Sequence, residues 1–321
     1  MKGMAALTVL SVALGLMTQN VYAQTYPVKP IRLIVPLAPG GPSDILARTV
    51  AAKLTEGIGQ SVIVENRAGA GGSVGADYVA KSAPDGYTII LVSNSVSINP
   101  SLYPKLPYDT LRDLAPITTL ASAPYILTVH PTLPVKSTKE LIALARSRPG
   151  ELNYASGGSG TGPHMAMELL KQLTGTKLVH IPYKGAGPAL IDTMAGQTQV
   201  LMVNIIAGLP QVKGGRIHAI DVSSAKRASV APEIPPIAEA VPGFDEGGQH
   251  GILAPGNTPR EIIARLNTEI VKALNSPEIK SRLAGEGAEV VGNTPEQFGA
   301  ILKSDVEKWA KLIKASGIKV D

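Results

Sequence analysis

The hydrophobic positions of this chain alternate between two spacings from residue 31 onward. Residues 31–35 form a nearly continuous apolar run, which is typical of a strand buried on both faces. Within residues 43–55 the apolar side chains recur at helical spacing, at Ile45, Leu46, Val50 and Leu54. Similar patterns predict strands at 61–65 and 87–92 and a helix at 73–81. This βαβαβ order predicts an open, mostly parallel sheet flanked by helices.

A second set of strand and helix patterns follows Pro124. It predicts two α/β lobes, with lobe 1 at residues 24–123 plus 250–321 and lobe 2 at residues 124–249. Because the chain passes between the lobes twice, the two crossover segments predict a hinge. The remaining predicted strands are 125–129, 153–155, 178–181, 199–203, 217–222 and 251–254, and the remaining predicted helices are 138–146, 163–173, 189–195, 259–274 and 295–315.

Two of the predicted strands lead into similar glycine-rich turns. Residues 37–44 read Leu-Ala-Pro-Gly-Gly-Pro-Ser-Asp, and residues 156–164 read Ser-Gly-Gly-Ser-Gly-Thr-Gly-Pro-His. Each glycine-rich segment places a proline at the start of a helix. A proline is tolerated there because the N–H that it lacks would have no partner within the helix. The free N–H groups at such a helix start attract anions. We therefore expect each lobe to contribute one side of an anion-binding cleft.

The candidate ligand-binding residues lie on these turns and at the carboxyl ends of neighbouring strands, where ligands of parallel sheets bind. Hydroxyl groups and backbone N–H groups in this arrangement favour a carboxylate. The candidates are Leu37, Pro39, Gly40, Gly41, Ser43, Asp44, Ser93, Ser95, Ser156, Gly157, Thr161, His164, Tyr183, Gly185 and Asn204.

Some candidates have a second interpretation. Asp44 would repel an anion, so we expect it to accept the backbone N–H of the helix cap, Gly41, and to fix the turn. His164 either donates to the far end of the ligand or caps its own helix. The serines at 93–97 either bind the ligand or form a solvated loop, and Lys184 is expected to face solvent.

Composition narrows the class of protein further. The chain has no cysteine, which excludes disulfides, thiolate metal sites and a cysteine nucleophile. Its net charge of +5 is not concentrated in a basic stripe, so we expect no nucleic-acid partner. Residues 1–23 read as a secretory signal peptide with cleavage after Ala23, which predicts export, and no later segment could span a membrane.

Catalytic motifs are weak. One Gly-x-Ser-x-Gly match occurs at residues 71–75, but five residues separate it from the preceding predicted strand, unlike a nucleophile elbow. The histidines show no His-x-x-x-His spacing, and no phosphate-binding or dinucleotide fingerprint fits. A serine hydrolase is thus a remote alternative, and we predict a monomeric binding protein without catalysis, metal or cofactor.

Several motifs together resemble the Bug receptors, the periplasmic solute-binding proteins of tripartite tricarboxylate transporters. The motifs span the chain after the signal peptide, and they are Tyr-Pro-Val-Lys-Pro from Tyr26, Ala-Pro-Gly-Gly from Ala38, Glu-Asn-Arg from Glu65, Pro-Asp-Gly-Tyr from Pro84, Leu-Pro-Tyr-Asp from Leu106, His-Ile-Pro-Tyr-Lys-Gly from His180 and Leu-Ala-Pro from Leu253.

This resemblance implies a two-lobed, class II-like periplasmic binding protein that closes around a small carboxylate. It also implies that backbone groups and ordered water near the Ala38 turn hold the carboxylate. The implied partner is a membrane permease with a large and a small transmembrane subunit; a membrane sensor kinase is the alternative. Where the family usually has an aromatic residue before the last hinge strand, this chain has Gln249-His250, and the identity of the carboxylate stays open.

Overall fold

The computed structural model describes residues 26–316 and residue 318. The predicted signal peptide and its cleavage position lie outside the described residues. The strands are β1 (Ile31–Val35), β2 (Val62–Asn66), β3 (Thr88–Ser93), β4 (Leu114–Val129), β5 (Asn153–Ser156), β6 (Val179–Pro182), β7 (Val200–Asn204), β8 (His218–Val222), β9 (Gly247–Pro255) and β10 (Glu289–Val290).

The helices confirm the alternation that the apolar pattern predicts. They are α1 (Pro42–Ile58), α2 (Ser73–Ala80), α3 (Ser95–Leu102), α4 (Thr138–Ser147), α5 (Gly162–Thr174), α6 (Ala186–Met194), α7 (Ile205–Lys213), α8 (Arg260–Leu274), α9 (Pro277–Gly285) and α10 (Pro295–Ser316). Across the described part of the chain, none of these helices combines the length and the apolar character that a membrane span requires.

The strands pair in the order β2-β1-β3-β9-β4-β7-β5-β6, with β8 and β10 attached to β4. Pairing is parallel from β1 to β2 and β3 in lobe 1, and from β5 to β6 and β7 in lobe 2. The central strands β4 and β9 are antiparallel to all their neighbours. The two-lobed α/β fold is therefore as predicted, but its sheet is mixed rather than mostly parallel.

Two adjacent strands connect the lobes. The first part of β4 pairs with β9 and β10, and its last five residues pair with β7 and β8 of lobe 2. The chain returns along β9, where Gly247 lies opposite Pro124 of β4. The connections therefore run side by side, and the carboxyl ends of β1, β3, β5 and β7 point toward the space between the lobes.

One apolar core lies in lobe 1 and extends into lobe 2 at α7, and a second core lies within lobe 2. In lobe 1, α1 and α8 pack against the sheet and bury Leu33, Leu46 and Leu266. In lobe 2, Tyr154 and Phe244 are fully buried among aliphatic side chains. Burying one such side chain contributes about 1.5–3 kcal/mol, so these cores hold the loops at the strand ends in place.

The sequence pattern missed several parts of the fold. Helices α3, α7 and α9, residues 114–124 of β4 and the short strand β10 were not predicted, and β9 is longer than the predicted segment 251–254. Helices α3 and α7 each contain a proline and lack a polar face that would reveal a period. The missed part of β4 contains Pro116 and Pro124 and shows no strict alternation.

Candidate functional site

The first glycine turn connects β1 to α1 and is held from behind by one carboxylate. Gly41 caps the helix, Pro42 begins it, and Gly40 has a φ of +79°, which favours glycine. The buried Asp44 accepts hydrogen bonds from the backbone N–H of Gly40 at 3.1 Å and from Asn66 Nδ2 at 3.0 Å. The donor is therefore Gly40 and not the cap residue Gly41, because the turn folds back one residue earlier than predicted.

Asp44 stays ionised although it is buried. Burial alone would raise the pKa of its carboxyl group, but hydrogen bonds from Arg48, Gly40 and Asn66 outweigh that effect and lower the pKa below its ordinary value. Arg48 Nη2 lies 2.9 Å from Asp44 Oδ1. The negative charge is thus neutralised locally, and Asp44 supports the turn instead of facing a ligand.

The second glycine turn connects β5 to α5. Gly158 and Gly160 have φ values of +124° and +83°. The Ser156 hydroxyl oxygen accepts the N–H of Gly158 at 3.1 Å, and the hydroxyl of Thr161 donates to the carbonyl oxygen of Gly158 at 2.8 Å. Two side chains of the turn therefore fix its own backbone and leave the start of α5 facing the space between the lobes.

A stack of rings supports this second turn from inside lobe 2. His180 lies between Tyr154 and His164, with ring centroids 4.8 Å and 4.2 Å away, and His180 Nε2 lies 2.7 Å from Ser156 Oγ. His164 Nδ1 accepts the N–H of Gly160 at 3.3 Å. Burial lowers the pKa of His164 to about 4. The sequence leads us to expect that His164 either donates to the ligand or caps its own helix, and this geometry matches the second role, because its ring supports the turn at the start of α5.

A third loop, between β6 and α6, meets the first turn across the cleft. The N–H of Ala38 donates to the carbonyl oxygen of Lys184 at 2.8 Å. A Cβ atom on Gly41 would lie 3.5 Å from the amide nitrogen of Ala186, and one on Gly157 would lie 3.2 Å from that nitrogen. All three turns therefore converge on the first residue of α6, which glycine makes possible by letting backbones approach closely.

One small cavity, of about 40 Å³, lies where these turns meet, and residues of both lobes line it. Six of the candidate residues belong to its wall. The whole wall consists of Leu37, Pro42, Ser43, Ser93, Tyr125, Gly157, Thr161, Gly162, Pro163, Ala186, Met202, Asn204, Gly248 and His250. The two predicted turns thus share one crevice.

The other candidates lie outside the cavity wall. Pro39, Gly40, Gly41 and Gly185 lie where the backbones of the two lobes touch. Asp44, Ser95, Ser156 and His164 are buried behind the wall. The hydroxyl of Tyr183 donates to Asp192 at 2.7 Å, within lobe 2. Lys184 is exposed, as predicted.

Sequence reasoning missed the part of the wall that the connecting strands supply. Gly248 and His250 alternate along β9, and Tyr125 lies where β4 enters lobe 2. The hydroxyl of Tyr125 donates to the carbonyl oxygen of Gly247 at 3.2 Å. Gln249-His250, where the resemblance leads us to expect an aromatic residue, was the one sequence signal at this strand.

Helix starts give the cavity its positive potential. The wall contains no Lys, Arg, Asp or Glu. It does contain residues from the N-terminal ends of four helices, α1, α5, α6 and α7, which are Pro42, Ser43, Thr161, Gly162, Pro163, Ala186 and Asn204. Each helix start carries about half a positive charge, so the four together offset about two negative charges.

The geometry at Ser73 does not match a nucleophile elbow. Ser73 begins α2 after a short 3₁₀ turn at Ala70–Gly72, and no strand leads directly into it. Its hydroxyl oxygen accepts a hydrogen bond from Asn99 Nδ2 at 3.0 Å. Within the described residues, no cluster of three or more His, Asp or Glu side chains could hold a metal ion.

Comparison with known proteins confirms the resemblance seen in the motifs. The model of the tripartite tricarboxylate transporter family receptor matches residues 46–318. BugT of Bordetella pertussis is 38% identical over 94% of this chain and 93% of its own length.

Solved structures show the same architecture. A protein from R. palustris with adipate has a TM-score of 0.89 and 36% identity, covering 92% of this chain and all of that one. MatC from Rhodopseudomonas palustris, with bound malate, has a TM-score of 0.86 and 31% identity over 90% of this chain and all of its own. A solute-binding protein from Polaromonas without ligand has a TM-score of 0.64 and 28% identity over 91% of this chain and all of its own.

These similarities extend over nearly the whole described chain and include its fold. The family and the related structures are substrate-binding proteins and not enzymes. The chain belongs to the tripartite tricarboxylate transporter receptor family, as a solute-binding protein.

Proposed function

We propose that this protein captures a small carboxylate in the cavity between its lobes and delivers it to a tripartite tricarboxylate-type membrane transporter. The observation that carries the proposal is the cavity wall, which has four helix starts and no acidic side chain. Such a wall attracts an anion without a counter-ion from Lys or Arg. The bound adipate and malate in two related structures support the same ligand class.

In this proposal, Ser43, Gly157 and Thr161 bind one carboxylate group of the ligand. All three lie in the cavity wall, and Ser43 and Thr161 stand at the starts of α1 and α5. Gly157 allows the ligand to approach the backbone. Ser93 and Asn204, at the ends of β3 and β7, complete the polar contacts, and Leu37 contributes apolar contact. Lobe boundaries near residues 124 and 250 belong to the same proposal.

We further propose that the structure is the closed form of the receptor. Backbone groups of the first turn and of the β6–α6 loop touch across the cleft, as the 2.8 Å bond from Ala38 to Lys184 illustrates. The higher TM-scores with the two carboxylate-bound structures than with the ligand-free one support this assignment. Ligand binding then stabilises closure about the hinge at β4 and β9.

The proposed site of action is the periplasm, after removal of the signal peptide, with the receptor acting as a monomer. The family description favours a transporter of two membrane subunits as the partner. Signalling to a membrane sensor kinase is the alternative. Co-purification of the loaded receptor with a two-subunit membrane permease would support transport, and retention by a sensor kinase alone would contradict it.

A thermal-shift screen of the purified protein tests the central proposal. The panel consists of straight-chain monocarboxylates, dicarboxylates and citrate, with sugars and amines of similar size as controls. A carboxylate at 100 times its Kd adds about 2.7 kcal/mol to the free energy of unfolding, which raises Tm measurably. Stabilisation by a carboxylate alone supports the proposal, and stabilisation only by sugars or amines contradicts it.

A further inference from the structure

Two buried polar groups in the cavity wall have no hydrogen-bond partner within the described residues. These unpaired groups are Nδ1 of His250 and Nδ2 of Asn204, and the two residues are only 3% and 2% exposed. Leaving a buried polar group unpaired costs about 1–3 kcal/mol. Both side chains line the cavity, so a bound molecule can satisfy them.

Both groups belong to the part of the cavity wall beside the connecting strand β9. A Cβ atom on Gly248 would lie 2.8 Å from Asn204 Nδ2, so the amide reaches the backbone of β9. His250 follows two residues later on the same face of this strand, about 7 Å along it. Ser93 of β3 pairs with His250 and also lines the cavity. The wall thus has a second polar region, formed by connecting strands and distinct from the glycine turns.

This region suits a ligand group that only accepts hydrogen bonds. The other amide atom of Asn204, Oδ1, already accepts the N–H of Ile206 at 3.1 Å, which leaves only its donor free. A neutral imidazole offers one donor, and a protonated one offers two. A carboxylate accepts such bonds on both of its oxygens. The four helix starts offset about two negative charges, which is enough for a ligand with a carboxylate at each end.

The charge state of His250 responds to such a ligand. Burial alone lowers the pKa of its ring to about 4, so His250 is neutral near pH 7. Its strand neighbours are Ser93 of β3 and Ala121 of β4, and the other titratable group of the cavity wall is the hydroxyl of Tyr125. With no charged side chain in the wall, a carboxylate beside the ring becomes its nearest counter-ion and raises its pKa.

We propose that His250 and Asn204 form a subsite for the far carboxylate of a dicarboxylate, and that His250 takes up one proton from solvent when this carboxylate binds. The inference rests on the proposed function, because the near carboxylate occupies the glycine turns. It assigns ligand selection to β9, one of the two strands that connect the lobes.

Isothermal titration calorimetry with matched acids tests the subsite. The probes are adipate against hexanoate and succinate against butanoate, each pair having equal chain length, at pH 8, 7 and 6. For the wild type, dicarboxylate affinity should increase as pH falls, with a limit of about tenfold per pH unit for one proton. Monocarboxylate affinity should change by less than about twofold.

Three variants complete the test. His250→Gln should weaken the tighter dicarboxylate at least about tenfold and remove its pH dependence, while leaving monocarboxylate affinity unchanged. Asn204→Ser keeps an oxygen at the α7 cap and removes the amide donor, so it should weaken dicarboxylates in the same way. His218→Gln, on the exposed end of β8, is the control and should behave as the wild type.

The outcomes separate the two proposals. If the wild type binds neither monocarboxylates nor dicarboxylates, the proposed function fails. If it binds monocarboxylates only, or if His250→Gln and Asn204→Ser keep the dicarboxylate affinity and its pH dependence, the subsite is wrong and the receptor function stands. Should His250→Gln fail to fold by circular dichroism, Asn204→Ser and the wild-type pH series decide the question.

Discussion

The backbone N–H of Ala38 in lobe 1 donates a 2.8 Å hydrogen bond to the carbonyl oxygen of Lys184 in lobe 2. Glycines surround this bond. A Cβ atom on Gly185 would lie 2.7 Å from the nitrogen of Ala38, and one on Gly187 would lie 2.2 Å from the carbonyl oxygen of Pro39. The lobes therefore meet backbone to backbone, and the side-chain-free positions at this contact are what permit the closed cleft.

Gly187→Ala should weaken carboxylate binding by blocking closure. Gly187 lies in the first turn of α6, where alanine is a better helix former, so lobe 2 should stay folded. The added methyl group would clash with the carbonyl oxygen of Pro39 in the closed form only. Overpacking of this kind costs about 1–3 kcal/mol, which corresponds to an affinity about 5- to 140-fold weaker by calorimetry.

The matched control is Gly285→Ala in α9. A Cβ atom at Gly285 would have no neighbouring atom within 4 Å, so ligand affinity should match that of the wild type. Equal affinities for Gly187→Ala and Gly285→Ala would show that the ligand does not need this closed contact.

Asp44→Asn should destabilise the protein, since the variant loses the charge that pairs with Arg48 and orders the first turn. Loss of charge-assisted bonds to a buried group costs about 1–3 kcal/mol of unfolding free energy, measurable by urea denaturation. Glu56→Gln is the control, because Glu56 is exposed and pairs with Lys53 at the surface, and it should change stability by less than about 0.5 kcal/mol. If Glu56→Gln lost as much unfolding free energy as Asp44→Asn, the proposed role of Asp44 in ordering the first turn would be contradicted.

The stability of the protein should decrease as pH falls from about 6.5 to about 4. Burial lowers the pKa of His164 and of His250 to about 4, so in this window the unfolded chain binds protons that the folded chain does not. Each histidine contributes at most about 3 kcal/mol to this loss. Burial raises the pKa values of Asp221, which is buried, and of Glu246 and Asp305, which are half-buried, and these three groups oppose the effect near its acidic end.

A variant isolates one histidine from the other groups. His164→Asn removes the ring while keeping a side-chain oxygen near Gly160, and its unfolding free energy should depend less steeply on pH between 6.5 and 4. Urea denaturation at pH 7, 6, 5 and 4.5 measures the difference. An identical slope in wild type and variant would mean that His164 is not held neutral by burial.

The single tryptophan should report closure. Trp309 of α10 packs in one apolar cluster with Met165 of α5, which belongs to the opposite lobe. In the closed form Trp309 is only 5% exposed. Adding a bound carboxylate should therefore shift its emission to shorter wavelength and reduce quenching by acrylamide. Calorimetric binding without any change in emission would contradict closure at this contact.

Much of the fold could be predicted because strong local signals coincide in it. The start of α1 follows an apolar strand, a glycine turn and a proline, and the start of α5 repeats the order. Helix α7 was not predicted because most of its residues are apolar, which hides any helical period, and because it contains Pro210. The missed part of β4 was not predicted because its pairing with β9 joins residues more than 120 positions apart, which no local pattern shows.

The residues of the cavity wall also divide into those that local sequence patterns predict and those that they do not. Ser43, Gly157 and Thr161 could be found from turn chemistry, and the structure brings them to one cavity. Tyr125 and His250 could not be found from local sequence, because their positions follow from the antiparallel pairing of β3, β4 and β9. The support of the turn by Asp44 is expected from its charge and its position after the helix cap, and the structure differs only in the donor, which is Gly40.

The location of a bound carboxylate tests the central claim most directly. We would crystallise the protein with the acid that stabilises it most in the thermal screen and solve that structure. The account predicts one carboxylate group within hydrogen-bonding distance of Ser43 and Thr161, with the Ala38–Lys184 bond formed. A carboxylate bound outside the cavity, or inside it with the lobes apart and this bond broken, would contradict the account.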